Sequence, residues 1–435
     1  MSLLTEYTSS VYSRRAISFS VLVLALTVPP PIRGYAVLAH EAIIDITWKD
    51  NLVPLLRKRF PGTTPEELEK SHAYAYGGAI IQDMGYYPFG SHFFSDLTHY
   101  VRSGDFIVAL LRDAQTLNGY AFALGALSHY AADNYGHPQA TNISVPLLFP
   151  KLARKYGKKV TYADNPTAHL KVEFSFDVEQ VAEGNYAPQA YHNFIGFEVD
   201  KPLLEEAFRD TYSLSMAGLF VSEDLALGTY RHTVSSLLPE MTKVAWELQK
   251  DKIRKAAPTV TRKTFIYNLS KAGYRKDWGA TYERPGVGAR FLTFLFQLVP
   301  KVGPFRALAF KPLTQVTERL FMQSFNTTLA QYRSLLALQS QGKLQLPNDN
   351  FDTGEPVRPS KYRLADAAYA ELVGKLKDKP VTDELRANIL AYYRDLSLPF
   401  ETKRDPERWA KLVRALEALK ATDRRAAAYL PKNRP

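Results

Sequence analysis

The sequence predicts an all-α protein, a multi-helix bundle with an appended C-terminal helical region, and three features carry that expectation. Residues 121–142 read AFALGALSHYAADNYGHPQATN and set His129, Asp133 and His137 four apart, the spacing that stacks side chains on one face of an α-helix. Thr64-Pro65-Glu66-Glu67 spells a helix start, with Thr64 as N-cap, Pro65 in the first turn and Glu67 closing a capping box. Between His40 and Phe60 apolar side chains recur with helical period, ending near Pro61-Gly62.

Taken in order, the helix from Thr64 is expected to run to Met84 and stop at Gly85, which puts Asp83 in its last turn. His72, eleven residues earlier on nearly the same face, would stand roughly 16 Å away and cannot share an ion with Asp83. YYPFG at 86–90 is a loop, followed by His92 and His99. A helix from Asp105 to Leu117 is expected to break at Asn118-Gly119 and resume at Tyr120. His137 precedes Pro138, which places it at or just past a helix end. Residues 151–159 hold five basic side chains, either a solvated face or a phosphate-attracting rim. The turn-rich 162–167 leads into a helix bearing His169 and Glu173, with Phe174 and Phe176 in the core. Two or three helices over 201–257 close the bundle, divided or kinked at Pro239. His192 and His232 have no donor at metal spacing and read as structural. The polar, Pro- and Asn-containing 341–361 reads as a linker, and helices at 364–398 and 405–419 form a C-terminal module within 362–435.

A chain of 435 residues with 46% hydrophobic side chains and no low-complexity run can bury a sizeable core, which argues against disorder. The absence of cysteine excludes disulfides and thiolate-bound zinc. Arg14 and Arg15 precede a thirteen-residue apolar run at 16–28 and then Pro29-Pro30-Pro31. A spanning helix needs about 20 such residues and a secretory core only ~7 to 15, so 1–34 is expected to be a signal peptide and the mature protein exported, periplasmic or secreted. An uncleaved membrane anchor is the other reading. Charge is uneven: residues 1–250 carry 21 basic against 26 acidic side chains, and residues 251–435 carry 34 against 18. The second half therefore offers a landing surface for anionic lipid or another polyanion. Within it, 286–312 is apolar and aromatic with four cations and no acid; it is either a membrane-interface segment or a buried hairpin bent at Pro300 and Pro304.

Imidazole and carboxylate donors on one helix face suit Zn²⁺, and a carboxylate between two histidines can bridge two ions; a merely polar helix face is the alternative. Further donors lie on both sides: His40, Asp83 and His99 upstream, His169 and Glu173 downstream, the last two again four apart.

In that order (His, Asp, His, His-x-x-x-Asp, His, His-x-x-x-Glu) the chain resembles, over residues 35–178, the zinc-dependent phospholipases C and the related single-strand-specific zinc nucleases. The resemblance implies an all-helical domain over 35–257, and charge and composition mark 258–340 as a basic, partly apolar helical extension. The resemblance also implies up to three zinc ions. One would be held by Asp83, His99, His129 and Asp133, a second by His137, His169 and Glu173, and a third by His40, Asp133 and the backbone amine and carbonyl of Tyr35. Tyr35 stands where these enzymes carry an N-terminal Trp, and it supplies those donors only if cleavage follows Gly34; cleavage after Ala36 or Ala39 removes them. His99 is preferred to His92 because Leu97-Thr98-His99-Tyr100-Val101 resembles the corresponding nuclease segment. His137 departs from the family, in which the matching His lies two residues further from the Asp.

The activity so implied is phosphodiester hydrolysis by a zinc-activated water, with Asp83 to orient or deprotonate that water and Asp133 to bridge. The expected function is a phospholipase C that releases diacylglycerol and a phosphorylated head group. The alternatives are a nuclease or nucleotidase of the same fold, acting on nucleic acid, and a non-catalytic membrane- or polyanion-binding protein with structural zinc.

Overall fold

The signals at helix ends set most of the boundaries in the computed structural model, which describes residues 37–183, 197–232, 311–377 and 379–429, with 234, 250, 251 and 254 besides. α1 (Val37–Thr47) passes through one wide π turn (Trp48–Leu52) into α2 (Val53–Arg59). α3 (Pro65–Ile80) begins with the reciprocal cap: the Thr64 hydroxyl accepts the Glu67 N–H at 3.2 Å, and the Glu67 carboxylate accepts the Thr64 N–H at 2.9 Å. It ends sooner than Met84, because a 3₁₀ turn (Ile81–Tyr86) takes over and carries Asp83. Ser95 of α4 (His92–Tyr100) fixes that turn, accepting the Gly85 N–H at 3.0 Å and donating to the Gln82 carbonyl.

The expected break at Asn118-Gly119 falls earlier. α5 (Ser103–Asp113) stops at Ala114, and Thr116 caps α6 (Leu117–Gly136) by accepting the Gly119 N–H at 2.9 Å. Gly119 serves close packing instead: a Cβ there would come within 2.8 Å of the Asp200 carboxylate. His137 stands just past the end of α6, as expected, but the path does not stop there. A π turn (His137–Thr141) absorbs the proline and leads straight into α7 (Asn142–Leu148), α8 (Pro150–Tyr156) and then α9 (Pro166–Glu183). The five basic residues of 151–159 are all exposed, a solvated surface.

α6 is the axis of the bundle, buried along nearly its whole length. α3 lies against it backbone to backbone. A Cβ on Gly78 would stand 1.8 Å from the Phe122 carbonyl, and one on Gly125 would stand 2.0 Å from the Ala75 carbonyl. Only glycine permits that approach. α10 (Lys201–Tyr212) covers α5, and α11 (Glu223–His232) reaches the 3₁₀ turn, where the Tyr230 hydroxyl donates to the Ile80 carbonyl at 2.6 Å. α12 (Gln315–Ser340) crosses α6, with the Tyr332 hydroxyl donating to the Leu124 carbonyl at 2.9 Å and Phe321 stacked on Phe176.

The polar stretch after α12 is not a free linker. β1 (Asp349–Asn350) and β2 (Glu355–Pro356) pair antiparallel into a short hairpin. Phe351 at its tip is fully buried. The side chains of Asn348, Asp349 and Asp352 accept hydrogen bonds from Asp105, Tyr130 and Tyr162 of the bundle, which composition alone does not reveal. α13 (Arg363–Lys375), α14 (Asp383–Tyr392) and α15 (Pro406–Tyr429) follow. They pack around Tyr369, Tyr392, Tyr393, Phe400 and Trp409, and buried Asp366 accepts from the Tyr392 hydroxyl and the Ser360 and Glu401 N–H groups. α13 also rests on α4. Residues 1–34 (expected to form a leader), Tyr35, His192, Pro239 and all of 286–312 before Lys311 lie outside the described residues. Among the described residues no helix is long and apolar enough to cross a membrane.

Candidate metal centre

Six elements each deliver a donor to one place: α1 brings His40, the 3₁₀ turn Asp83, α4 His99, α6 His129 and Asp133, the π turn His137, and α9 His169 and Glu173. All eight residues are at most 5% exposed. The close α3–α6 contact sets the first orientation, because the His129 Nδ1–H donates to the Ala79 carbonyl at 2.9 Å. The His99 Nδ1–H donates to the Ser95 carbonyl at 2.8 Å. Both rings therefore turn Nε2 inward, the nitrogen that would ligate a metal.

Asp133 is the hub. Its Oδ2 lies 3.1 Å from His129 Nε2 and 3.4 Å from His99 Nε2; its Oδ1 lies 3.5 Å from His40 Nε2 and 3.4 Å from His137 Nε2. Asp83 Oδ1 is 3.3 Å from His99 Nε2, which is 3.3 Å from His129 Nε2. On the other side His137 Nδ1 faces His169 Nε2 at 2.9 Å and Glu173 Oε1 at 3.2 Å, with His169 and Glu173 themselves 2.8 Å apart. The His40 ring stacks on His129, centroids 4.5 Å apart. Three groups of donors thus emerge: His40, His129 and Asp133; Asp83, His99 and His129; and His137, His169 and Glu173.

These donors fit divalent cations. Four ligands tetrahedrally around zinc at its usual bond lengths stand about 3.3 Å from each other, the separation seen around His99, His129, Asp83 and Asp133. Both oxygens of Asp133, both of Glu173 and Oδ1 of Asp83 are buried yet accept no hydrogen bond of ordinary geometry. A buried carboxylate left so would be costly unless a cation compensated it.

Electrostatics point the same way. Burial alone would push the Asp133 carboxyl up, but the imidazoles of His129 and His137 outweigh it and hold the carboxyl well below the usual range. Burial tends to strip His99 of its proton, but Asp133 and Asp83 prevail and raise its pKa to about 9. His137 is raised well above the ordinary value in the same way, by Asp133 and Glu173 against burial. His40 goes the other way, through burial and the neighbouring His129. Asp83 is raised by burial. Protons here do in part what a cation would do.

His92 is not in the cluster; its ring meets the edge of Tyr86, 5.7 Å between centroids. His72 is apart as well, stacked on Trp48 and 3.0 Å from Asp45. Four neighbours of the centre carry no ligand spacing in the sequence. Tyr86 packs on His99, Tyr162 on His169, Phe351 on both His99 and His129, and Asp352 holds Tyr162. A lone aromatic in the polar run 348–355 was the only trace of the last two.

No curated protein and no solved structure matches the chain. The family model of zinc dependent phospholipase C matches residues 39–220, a span that contains all eight converging donors. Through this region the chain is similar to the zinc-dependent phospholipases C.

Proposed function

We propose that the protein is a zinc-dependent phosphodiester hydrolase of the phospholipase C type, converting a phospholipid and water into diacylglycerol and a phosphorylated head group. The observation that carries this reading is Asp133, whose two oxygens each face a different pair of imidazoles at the middle of the buried cluster. In this reading Asp83, His99, His129 and Asp133 hold one ion, His137, His169 and Glu173 a second, and His40 with Asp133 a third, which Tyr35 completes if it is the mature N-terminus. Zinc so held supplies Lewis acidity, drawing charge from a phosphoryl oxygen and lowering the pKa of water to about 7. Asp83, whose burial favours its protonated form, orients the attacking water and takes up its proton. The bond that breaks joins phosphorus to the glycerol oxygen, and the leaving oxygen ends with a proton. Export past a cleaved leader and contact of the basic second half with anionic lipid belong to the same proposal.

The test offers purified protein phosphatidylcholine micelles and single-stranded DNA side by side. Head-group phosphate should appear and the DNA should stay whole. Cleavage of DNA with the lipid intact would transfer the site to nuclease chemistry, and zinc-replete protein inert on both would leave only a binding role.

A further inference from the structure

The hairpin over residues 348–357 lies outside the span that matches the family, yet it forms one side of the metal centre. The Phe351 ring meets His99 nearly edge-on at 5.3 Å between centroids, tilts against His129 at 6.0 Å, and meets Tyr130 edge-on at 5.4 Å. Its own N–H donates to the His99 carbonyl at 3.2 Å. The next residue reaches the opposite group. Asp352 Oδ2 accepts the Tyr162 N–H at 2.9 Å and the Tyr362 hydroxyl at 2.5 Å, and the Tyr162 ring stands edge-on to His169.

A lid needs few ties; this hairpin has many. The Asn142 amide donates to the Asp352 carbonyl at 2.6 Å, the Ser103 hydroxyl to the Asp349 carbonyl at 2.6 Å, and the Tyr130 hydroxyl to the Asp349 carboxylate at 3.1 Å. Gly354, with φ of 66°, lies so close to the Asn134 carbonyl that a Cβ would come within 2.4 Å. α4, α5, α6 and α7 are all engaged, so the hairpin is a fixed wall.

We propose that Phe351 is a positioning residue of the metal centre, locking the imidazoles of His99 and His129 in their ligating orientation, and that the 348–357 hairpin exists to place it there. The inference rests on the reading of these imidazoles as zinc ligands. Each ring also has an Nδ1 hydrogen bond and another ring neighbour, Tyr86 on His99 and His40 on His129, and Phe351 packs against both imidazoles at once. Packing on both rings narrows the orientations open to them, and the 10- to 100-fold effect of hydrogen-bonded outer partners on metal affinity sets the scale for its loss.

The experiment compares the full-length, zinc-loaded protein with Phe351→Ala, Phe351→Leu, Gly354→Ala and Phe400→Ala, following zinc transfer to a chromogenic chelator and the visible bands of the cobalt-substituted forms. Phe351→Ala and Gly354→Ala should release zinc at least about tenfold faster and shift the cobalt bands, with Phe351→Leu between them and wild type. Phe400→Ala opens the C-terminal aromatic cluster away from the centre; it should lower Tm and leave both readouts alone. Release from folded Phe351→Ala within twofold of wild type would overturn the proposal, as would equal acceleration by Phe400→Ala. Should Phe351→Ala fail to fold, the same threshold of unchanged release applies to Phe351→Leu. Wild-type protein that binds no zinc would instead strike the functional reading beneath it.

Discussion

Asp133 sits on the central helix with four imidazoles around it, and replacing it is the most telling single change. Asp133→Asn keeps the shape and removes the charge, so zinc content by elemental analysis should fall by more than one ion, and hydrolysis should drop at least about a hundredfold. Activity at the wild-type level would rule out a bridging carboxylate. The protons on the cluster give a second expectation. His99 is held at about 9, above the ordinary imidazole value, by Asp133 and Asp83 against the pull of burial. Its protonated form therefore stabilises the metal-free fold below about pH 6.5, and that stabilisation is lost as pH rises through about 9. Metal-free protein should show a falling Tm over this range while the zinc form does not. Zinc binding at pH 7 should release a proton, measurable by calorimetry in buffers of different ionisation enthalpy. At this scale the sequence was informative because four-residue spacing on a helix already implies a shared face. It said nothing of which nitrogen of His137 meets which partner, since that depends on a π turn no spacing rule encodes.

The α3–α6 pair brings Asp83, His129 and Asp133 within reach of one another. Gly78→Ala would drive a methyl group into the Phe122 carbonyl, so chemical denaturation should show a loss of about 3 kcal/mol or more, with zinc binding weakened. Gly228 in α11 faces open space, and Gly228→Ala should instead add about 0.5–1 kcal/mol. Thr64→Ala, which removes one half of the capping box, should cost about 1 kcal/mol without changing zinc content. The cap at Thr64 was legible because it is a local motif. The break before α6 was misplaced by a few residues, since Gly119 was read as a helix breaker when it answers to Asp200, a partner eighty positions away in the chain. Likewise α3 was read through to Met84, because the Ser95 hydroxyl that winds Asp83 into a tighter turn comes from a different helix.

Across the whole molecule, five imidazoles and three carboxylates are gathered from six elements, so the ions should bind the folded chain far better than the unfolded one. Chelation should lower Tm substantially, each ion held at a thousandfold above its Kd contributing about 4 kcal/mol. The helical class and the stretch that holds the eight donors were open to reading, the first from local periodicity and the second from the order of the donors. The role of residues 341–361 was not. Their composition suits a tether, and the hydrogen bonds of the hairpin to the bundle together with the packing of Phe351 against His99 and His129 distinguish a wall from one. That wall has a consequence for how the protein is made. A growing chain presents Glu173, the last of the eight donors, long before Phe351 leaves the ribosome, so under the role proposed for Phe351 an early metal would meet an unfinished cluster. A chain truncated ahead of the hairpin should then exchange zinc faster than the full chain does.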